Sequence, residues 1–185
     1  MRQIEVFIQY LQFERRYSPH TVESYQRDLS QFGEYLNDVY QIGEAKDVSD
    51  QMIRSWLAHL MDLGLSAKTV NRKISSLKSF YKYLMRDGSV SMNPTIKIQG
   101  PKQKKRLPVF IEERKMKLLL EVDYDSESFK NVRDLLIVEL FYSTGIRREE
   151  LIGLKKTDVS FSNMQIKVLG KRSKETERNK GVYRG

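Results

Sequence analysis

Apolar residues recur at three- and four-residue spacing through nearly all of the first 86 positions, and start or stop signals bound each stretch. Ile4, Phe7, Ile8 and Leu11 form one stripe, which ends before Tyr17. Ser18-Pro19 then supplies an N-cap residue and a proline for the first helical position. The helix it predicts carries Val22, Tyr25, Leu29, Phe32 and Leu36 on one face and His20, Arg27 and Gln31 on the other. A loop through Gly43 leads to Ser49 and a helix with Ile53, Trp56, Leu57 and Leu60 that stops near Gly64. Ser66 opens the next, with Val70, Ile74, Leu77, Tyr81 and Leu84, ending at Gly88. Four helices of this length predict a compact bundle, residues 1–90.

The pattern breaks after Ser89. Asn93-Pro94, Gly100-Pro101 and Pro108 oppose helix propagation, and 91–108 reads as an inter-domain linker carrying the basic run Lys102, Lys104, Lys105 and Arg106. Such a run either tracks a phosphate backbone or solubilises a tether. Helical spacing returns with Met116, Leu118, Leu119 and Leu120. Phe129 to Ser143 is then apolar on most sides through Val132, Leu135, Leu136, Val138, Leu140 and Phe141, which predicts a core helix. Asp123, Asp125 and Glu127 alternate as in a calcium loop, but Ser128 stands where that loop needs glycine, so no metal is expected. Past Leu154 the period changes to two: Val159 and Phe161, a Ser162-Asn163 turn, then Ile166 and Val168 predict a short antiparallel hairpin leading to Gly170-Lys171-Arg-Ser-Lys174.

Charge narrows the partners. The chain of 185 residues has 33 Lys and Arg against 24 Asp and Glu, a formal net charge of +9, which points to an anionic partner with nucleic acid ahead of a membrane surface. The absence of cysteine excludes disulfides and thiolate chemistry. No signal-peptide core occupies the N-terminus and no apolar run is long enough to span a bilayer, so the expectation is a soluble cytoplasmic protein.

Two places carry candidate chemistry. On the fourth helix Lys68, Arg72, Ser75, Ser79 and Arg86 fall opposite the core stripe, with no acidic residue of that helix among them. Small hydroxyls between cations allow a helix to approach a phosphate backbone or groove, and a solvated face is the alternative. His20 and Arg27 on the second helix join them as DNA-facing candidates. The second place is Tyr142-Ser-Thr-Gly-Ile-Arg-Arg-Glu-Glu-Leu-Ile-Gly-Leu154, where one helix ends at Gly145 and a short one begins at Arg147. Glu150, three residues on, is placed to hold that guanidinium while it meets an anion.

The order of these parts resembles the tyrosine recombinase (phage integrase) family, in particular its Xer-like branch. The N-terminal match centres on Tyr17-Ser-Pro-His-Thr21 and continues through Ser66-Ala-Lys-Thr-Val-Asn-Arg72 and Tyr81 to Asn93-Pro94. Thr144-Gly-Ile-Arg-Arg-Glu-Glu-Leu-Ile-Gly-Leu154 resembles the family's first arginine box, and Val168-Leu-Gly-Lys-Arg-Ser-Lys174 its hairpin turn. The resemblance implies a mainly α chain: a four-helix SAM-like core-binding domain, then the start of an α+β catalytic domain across 109–185. It implies Arg147 as a catalytic arginine, Glu150 as its support, Lys171 as the general acid and Lys174 as a DNA contact. The chemistry implied is transesterification without metal or cofactor: a tyrosine hydroxyl attacks the scissile phosphate, the 5′ oxygen leaves, and the strand is held as a 3′-phosphotyrosine. Double-stranded DNA and other recombinase protomers, four to an assembly, are the partners implied.

The family's His-x-x-Arg box and distant nucleophilic tyrosine have no counterpart here. The histidines, His20 and His59, lie in the bundle, and Tyr183 follows Lys171 by twelve positions (183 − 171) with no such box between them. The tail from Glu175 also departs from the apolar third strand expected. The sequence therefore reads as a recombinase chain that binds DNA but does not cleave alone, its apolar helix Phe129 to Ser143 lacking part of its usual cover, so that residues 110–185 are expected to self-associate through that surface or to be poorly ordered. The alternatives are a non-catalytic integrase-derived DNA-binding protein or recombination accessory factor, and a helical interaction module whose charge serves solubility.

Overall fold

The computed structural model describes residues 1–103, 111–120, 128–169 and 175–179. The chain divides into two compact units, Met1–Arg106 and Leu107–Gly185.

In the first unit the predicted caps work as helix boundaries. Helix α1 (Arg2–Gln9) runs into a π-helical turn at Tyr10–Glu14, and α2 (Pro19–Tyr40) begins at its proline. The Ser18 hydroxyl bonds the Thr21 hydroxyl at 2.8 Å instead of capping a backbone N–H. Ser49 does cap α3 (Asp50–Asp62), accepting from the Met52 N–H at 3.3 Å, and Ser66 caps α4 (Ala67–Asp87), accepting from the Thr69 N–H at 3.2 Å. Gly88 closes α4 at φ +78°, a left-handed conformation that glycine adopts without strain.

The predicted stripes meet in one core. Leu29, Phe32, Leu36, Ile53, Trp56, Val70, Leu77, Phe80, Tyr81 and Leu84 are buried, with Phe32 and Trp56 rings 4.9 Å apart and Phe7 and Phe80 rings 5.5 Å apart. Each such side chain contributes about 1.5–3 kcal/mol of transfer free energy as an upper bound. Tyr81 donates its hydroxyl to the Ala45 carbonyl at 3.2 Å, and burial pushes its ionisation well above the usual tyrosine range.

One charged group lies within this core. The Asp28 carboxylate is 1% exposed and accepts from Lys73 Nζ at 3.1 Å, Ser76 Oγ at 2.9 Å and the Arg72 guanidinium, binding α2 to α4. Lys73, itself 3% exposed, also donates to the Gln31 side chain. Charges removed from water are tolerated only when paired and hydrogen-bonded in this way.

The segment read as an inter-domain linker packs on the bundle in its described part. Val90, Thr95 and Ile98 are buried, Asn71 donates to the Pro101 carbonyl at 2.9 Å, and Arg54 donates to the Lys97 carbonyl at 3.3 Å. Its prolines and turns stop helix formation without releasing the chain, because apolar side chains between them still find the core. Gly100 has no room for a side chain, since a Cβ there would stand 1.7 Å from the Asn71 amide oxygen.

The second unit contains α5 (Glu113–Leu120), α6 (Phe129–Thr144), α7 (Arg148–Ile152) and a three-stranded antiparallel sheet of β1 (Val159–Ser160), β2 (Gln165–Leu169) and β3 (Glu175–Asn179). The hairpin is present, with Val159 opposite Ile166, but the expected loss of the third strand is corrected: Leu169 pairs Glu175 and Gln165 pairs Asn179. Backbone pairing does not require the apolar alternation on which the expectation rested. The apolar density of α6 does not make it an enclosed core helix, in line with the expectation that part of its cover is missing. None of α6 is fully buried, and Val132 and Leu136 are about half exposed; among the described residues the small cluster of Ile146, Ile166 and Val168 packs against the Leu140 and Phe141 end.

Asp28→Ala leaves Lys73 buried without its carboxylate and is expected to cost the first unit about 3 kcal/mol, read as a lower urea midpoint at unchanged slope. Adding Lys73→Met in the same chain recovers part of that loss; no recovery would show that the charge pairing is not what the aspartate satisfies.

Candidate nucleic-acid face and active-site arginine

The α4 face is more structured than its sequence suggests. Lys68 is exposed, as are His20 and Arg27 on α2 and Lys102 beyond α4. Ser75 is exposed and donates back to the Asn71 carbonyl at 3.0 Å. Ser79 is half-buried, its hydroxyl 3.3 Å from the Tyr25 hydroxyl of α2. Arg72 is not a free surface cation: its guanidinium bonds the Asp28 carboxylate while the side chain stays 46% exposed. An acidic group does reach this face, from the neighbouring helix. The cue was available, since Tyr25, Asp28 and Phe32 follow the three- and four-residue spacing of the α2 core stripe. Lys73 and Ser76 hold the equivalent places on α4, between Val70 and Phe80. Arg86 turns elsewhere, with its guanidinium 4.7 Å from the Tyr10 ring centre. Lys104, Lys105 and Arg106 lie outside the described residues.

In the second unit, α6 ends at Gly145 with φ +60°, and the next residue, Ile146, is 3% exposed and anchors the turn. The sequence reading passed over Ile146, a lone apolar residue between a glycine and an arginine. Arg147 takes extended backbone as the N-cap of α7, and its N–H donates to Glu150 Oε2 at 3.0 Å. The same carboxylate receives Arg147 NH1 on Oε1 at 2.6 Å. Glu150 is 5% exposed at its side chain and Arg147 68%. One buried carboxylate thus satisfies a helix-start donor and grips one nitrogen of the guanidinium, while Nε and NH2 have no partner among the described residues. That leaves a planar fork able to bind an anion through two parallel hydrogen bonds.

Lys171 and Lys174 fall between paired β2 and β3 but lie outside the described residues, as does the Asp123 to Glu127 stretch. Among the described residues, no helix is long and apolar enough to cross a membrane.

Comparison with known proteins accounts for both halves. Residues 4–88 match the phage integrase N-terminal SAM-like domain, and residues 109–180 match the phage integrase family, a range that takes in β3. The chain is 38% identical over 179 residues to tyrosine recombinase XerC of Staphylococcus aureus strains JH9 and N315, covering 97% of this chain and 59% of theirs. It therefore spans less than two thirds of the length of these relatives. The fold is shared with a lambda integrase dimer bound to a COC′ core site, at TM-score 0.72, 18% identity and coverage of 95% of this chain and 58% of that one. It is shared also with the Tn1549 transposon integrase in complex with circular intermediate DNA, at TM-score 0.65, 18% identity and coverage of 97% and 61%.

Removing the grip tests the geometry directly. Glu150→Ala should speed hydrogen exchange of the Arg147 amide about tenfold, the loss of about 1.4 kcal/mol of local protection; an unchanged rate sinks the capping role. By its two matched domains and its curated relatives, the chain belongs to the phage integrase, or tyrosine recombinase, family.

Proposed function

We propose that this chain provides the DNA-binding part and the first portion of the active site of a site-specific recombinase, which cuts and rejoins DNA through a 3′-phosphotyrosine. The observation that carries this reading is the Arg147 guanidinium, presented from a helix start by buried Glu150 with its outer edge open. A phosphate undergoing attack gathers negative charge on its non-bridging oxygens. An arginine already aimed at that position stabilises the charge without reorganising. Lys171 takes the general-acid role, giving a proton to the departing 5′ oxygen; its support is the family resemblance of Val168-Leu-Gly-Lys-Arg-Ser-Lys174.

Binding of the duplex falls to the first unit, through Lys68, Arg72, Ser75 and Ser79 of α4 with His20 and Arg27 of α2, and Lys102 on the phosphate backbone. The Tn1549 integrase structure above is a complex with circular intermediate DNA and the lambda integrase structure a dimer bound to a core site, which supports double-stranded DNA and further protomers as partners. Four protomers on two sites, working in the cytoplasm, is the arrangement this reading adopts.

Titration of the chain with duplex DNA at two salt concentrations tests the binding. About four phosphate contacts predict roughly 100-fold weaker affinity at 200 mM than at 50 mM salt, and Lys68→Ala lowers the logarithmic slope by about 1. Affinity indifferent to salt excludes the reading. For the arginine, the expected result in the full-length recombinase is that Arg147→Ala cuts covalent trapping on a nicked suicide substrate by about 100-fold or more, with DNA affinity within threefold of the parent. Equal losses of binding and trapping would assign Arg147 to binding alone.

A further inference from the structure

Beside the α4 face proposed for the duplex, and sharing Ser79 with it, the first unit has a cavity of about 480 Å³ walled by tyrosines and edged by cations. Tyr10 and Tyr83 lie with ring centres 4.7 Å apart, and the Arg86 guanidinium stands 4.7 Å from the first and 5.7 Å from the second. Arg15 stands 6.0 Å from the Tyr17 ring on another side, and Lys82 completes the rim. Arg15, Lys82 and Arg86 are exposed, and among the described residues none is ion-paired to a carboxylate. Glu14 and Asp87 stand close enough to help raise the Tyr83 ionisation, behind burial as the first cause.

The backbone makes an unusual turn to build this edge. The π-helical stretch Tyr10–Glu14 ends with the Arg15 N–H donating to the Tyr10 carbonyl at 3.0 Å, and Arg16 takes φ +50°, a left-handed conformation a non-glycine residue seldom adopts. Tyr17 is then secured by its N–H to the Leu11 carbonyl at 3.0 Å. The result is to place Arg15 and Tyr17 on the same cavity as Arg86 and Tyr83. π-Turns and left-handed residues of this kind concentrate where a side chain must be aimed.

We propose that this cavity binds an unpaired nucleotide of a DNA strand, with a base against the tyrosine wall and its phosphate between Arg15, Lys82 and Arg86. Cations alone would suit any phosphate. Cations interleaved with aromatic faces suit a phosphate that carries an exposed base, because every base offers a π-face that a duplex keeps hidden. The site goes beyond duplex binding: its strand would be one opened, frayed or displaced beside the duplex held on α4.

Fluorescence anisotropy with a labelled tetrathymidylate tests it on the chain itself, alongside an abasic tetranucleotide of equal charge, free thymidine monophosphate as competitor, and a blunt duplex. The expected pattern is at least about fivefold tighter binding of the tetrathymidylate than of the abasic strand, since stacking rewards the base. Competition by the monophosphate at millimolar concentration would place a single nucleotide in the cavity; its failure with the base preference intact assigns the site to strands only, and either result supports the proposal. Arg15→Ala with Arg86→Ala should weaken the tetrathymidylate about tenfold while changing duplex affinity less than threefold, and Lys68→Ala should do the reverse. Equal affinity for abasic and thymidine strands, or a parallel loss on both DNA forms in the double variant, overturns the proposal. The circular dichroism melt of each variant should match the parent, and Lys82→Ala, on the exposed rim, provides the same reading if the double variant is unstable.

Discussion

Asp28 has to be satisfied before helices α2 and α4 can close on one another. A carboxylate that is 1% exposed cannot keep its charge without donors, and the three it finds, Arg72, Lys73 and Ser76, all come from α4 within a little more than one turn. Apolar packing alone would let the two helices slide by a residue or rotate by part of a turn at modest cost. The carboxylate does not, because a shift removes at least one of its partners and leaves a buried charge exposed to nothing. The rotation of α4 that presents Lys68 and Ser75 outward follows from a group that faces inward.

The second unit uses a similar device on a smaller scale. Glu150 is nearly as buried as Asp28, and it too spends its oxygens on an arginine whose far side is open to solvent. In both cases the buried carboxylate fixes where a guanidinium points and partly neutralises it. An arginine so held loses little rotamer freedom when an anion arrives, so more of the contact energy appears as affinity or, for a reacting phosphate, as lowered barrier. The cost is a charge that must never lose its partner, which explains why Glu150 also anchors the Arg147 N–H and does not hang from the side-chain contact alone.

The helical unit was legible because its signals are local. Caps at Ser49 and Ser66, the proline at 19 and the glycines at 64 and 88 each bound a helix through chemistry within a few residues. What the sequence hid lies between elements. Asp28 is unremarkable as a residue and decisive as a neighbour of Lys73, a pairing 45 positions apart in the chain. The signals at 93–101 mark helix breakers, and what they do not show is that Ile98 still reaches the core. α6 was legible in both respects, as an apolar helix and as one short of cover: burial depends on what packs against a helix, and among the described residues little beyond the Ile146, Ile166 and Val168 cluster does. The arginine box was legible in outline from Gly145, Arg147 and Glu150 at their spacing. The two separate hydrogen bonds that make it rigid were not.

These two arginines also divide the work of a charge as large as +9. A cation paired to a buried carboxylate releases few counterions when it meets a phosphate, because its charge is already half answered. In the proposed binding of DNA, the salt-dependent part therefore falls to the exposed cations that have no carboxylate partner among the described residues, Lys68 and Arg27 among them. Arg72 and Arg147 contribute in the other currency of recognition, direction: each can accept an anion only along the line its carboxylate leaves open. On the proposed reading, one set of cations finds DNA and the other registers it, and substitutions in the two sets should differ in kind even where they are equal in charge.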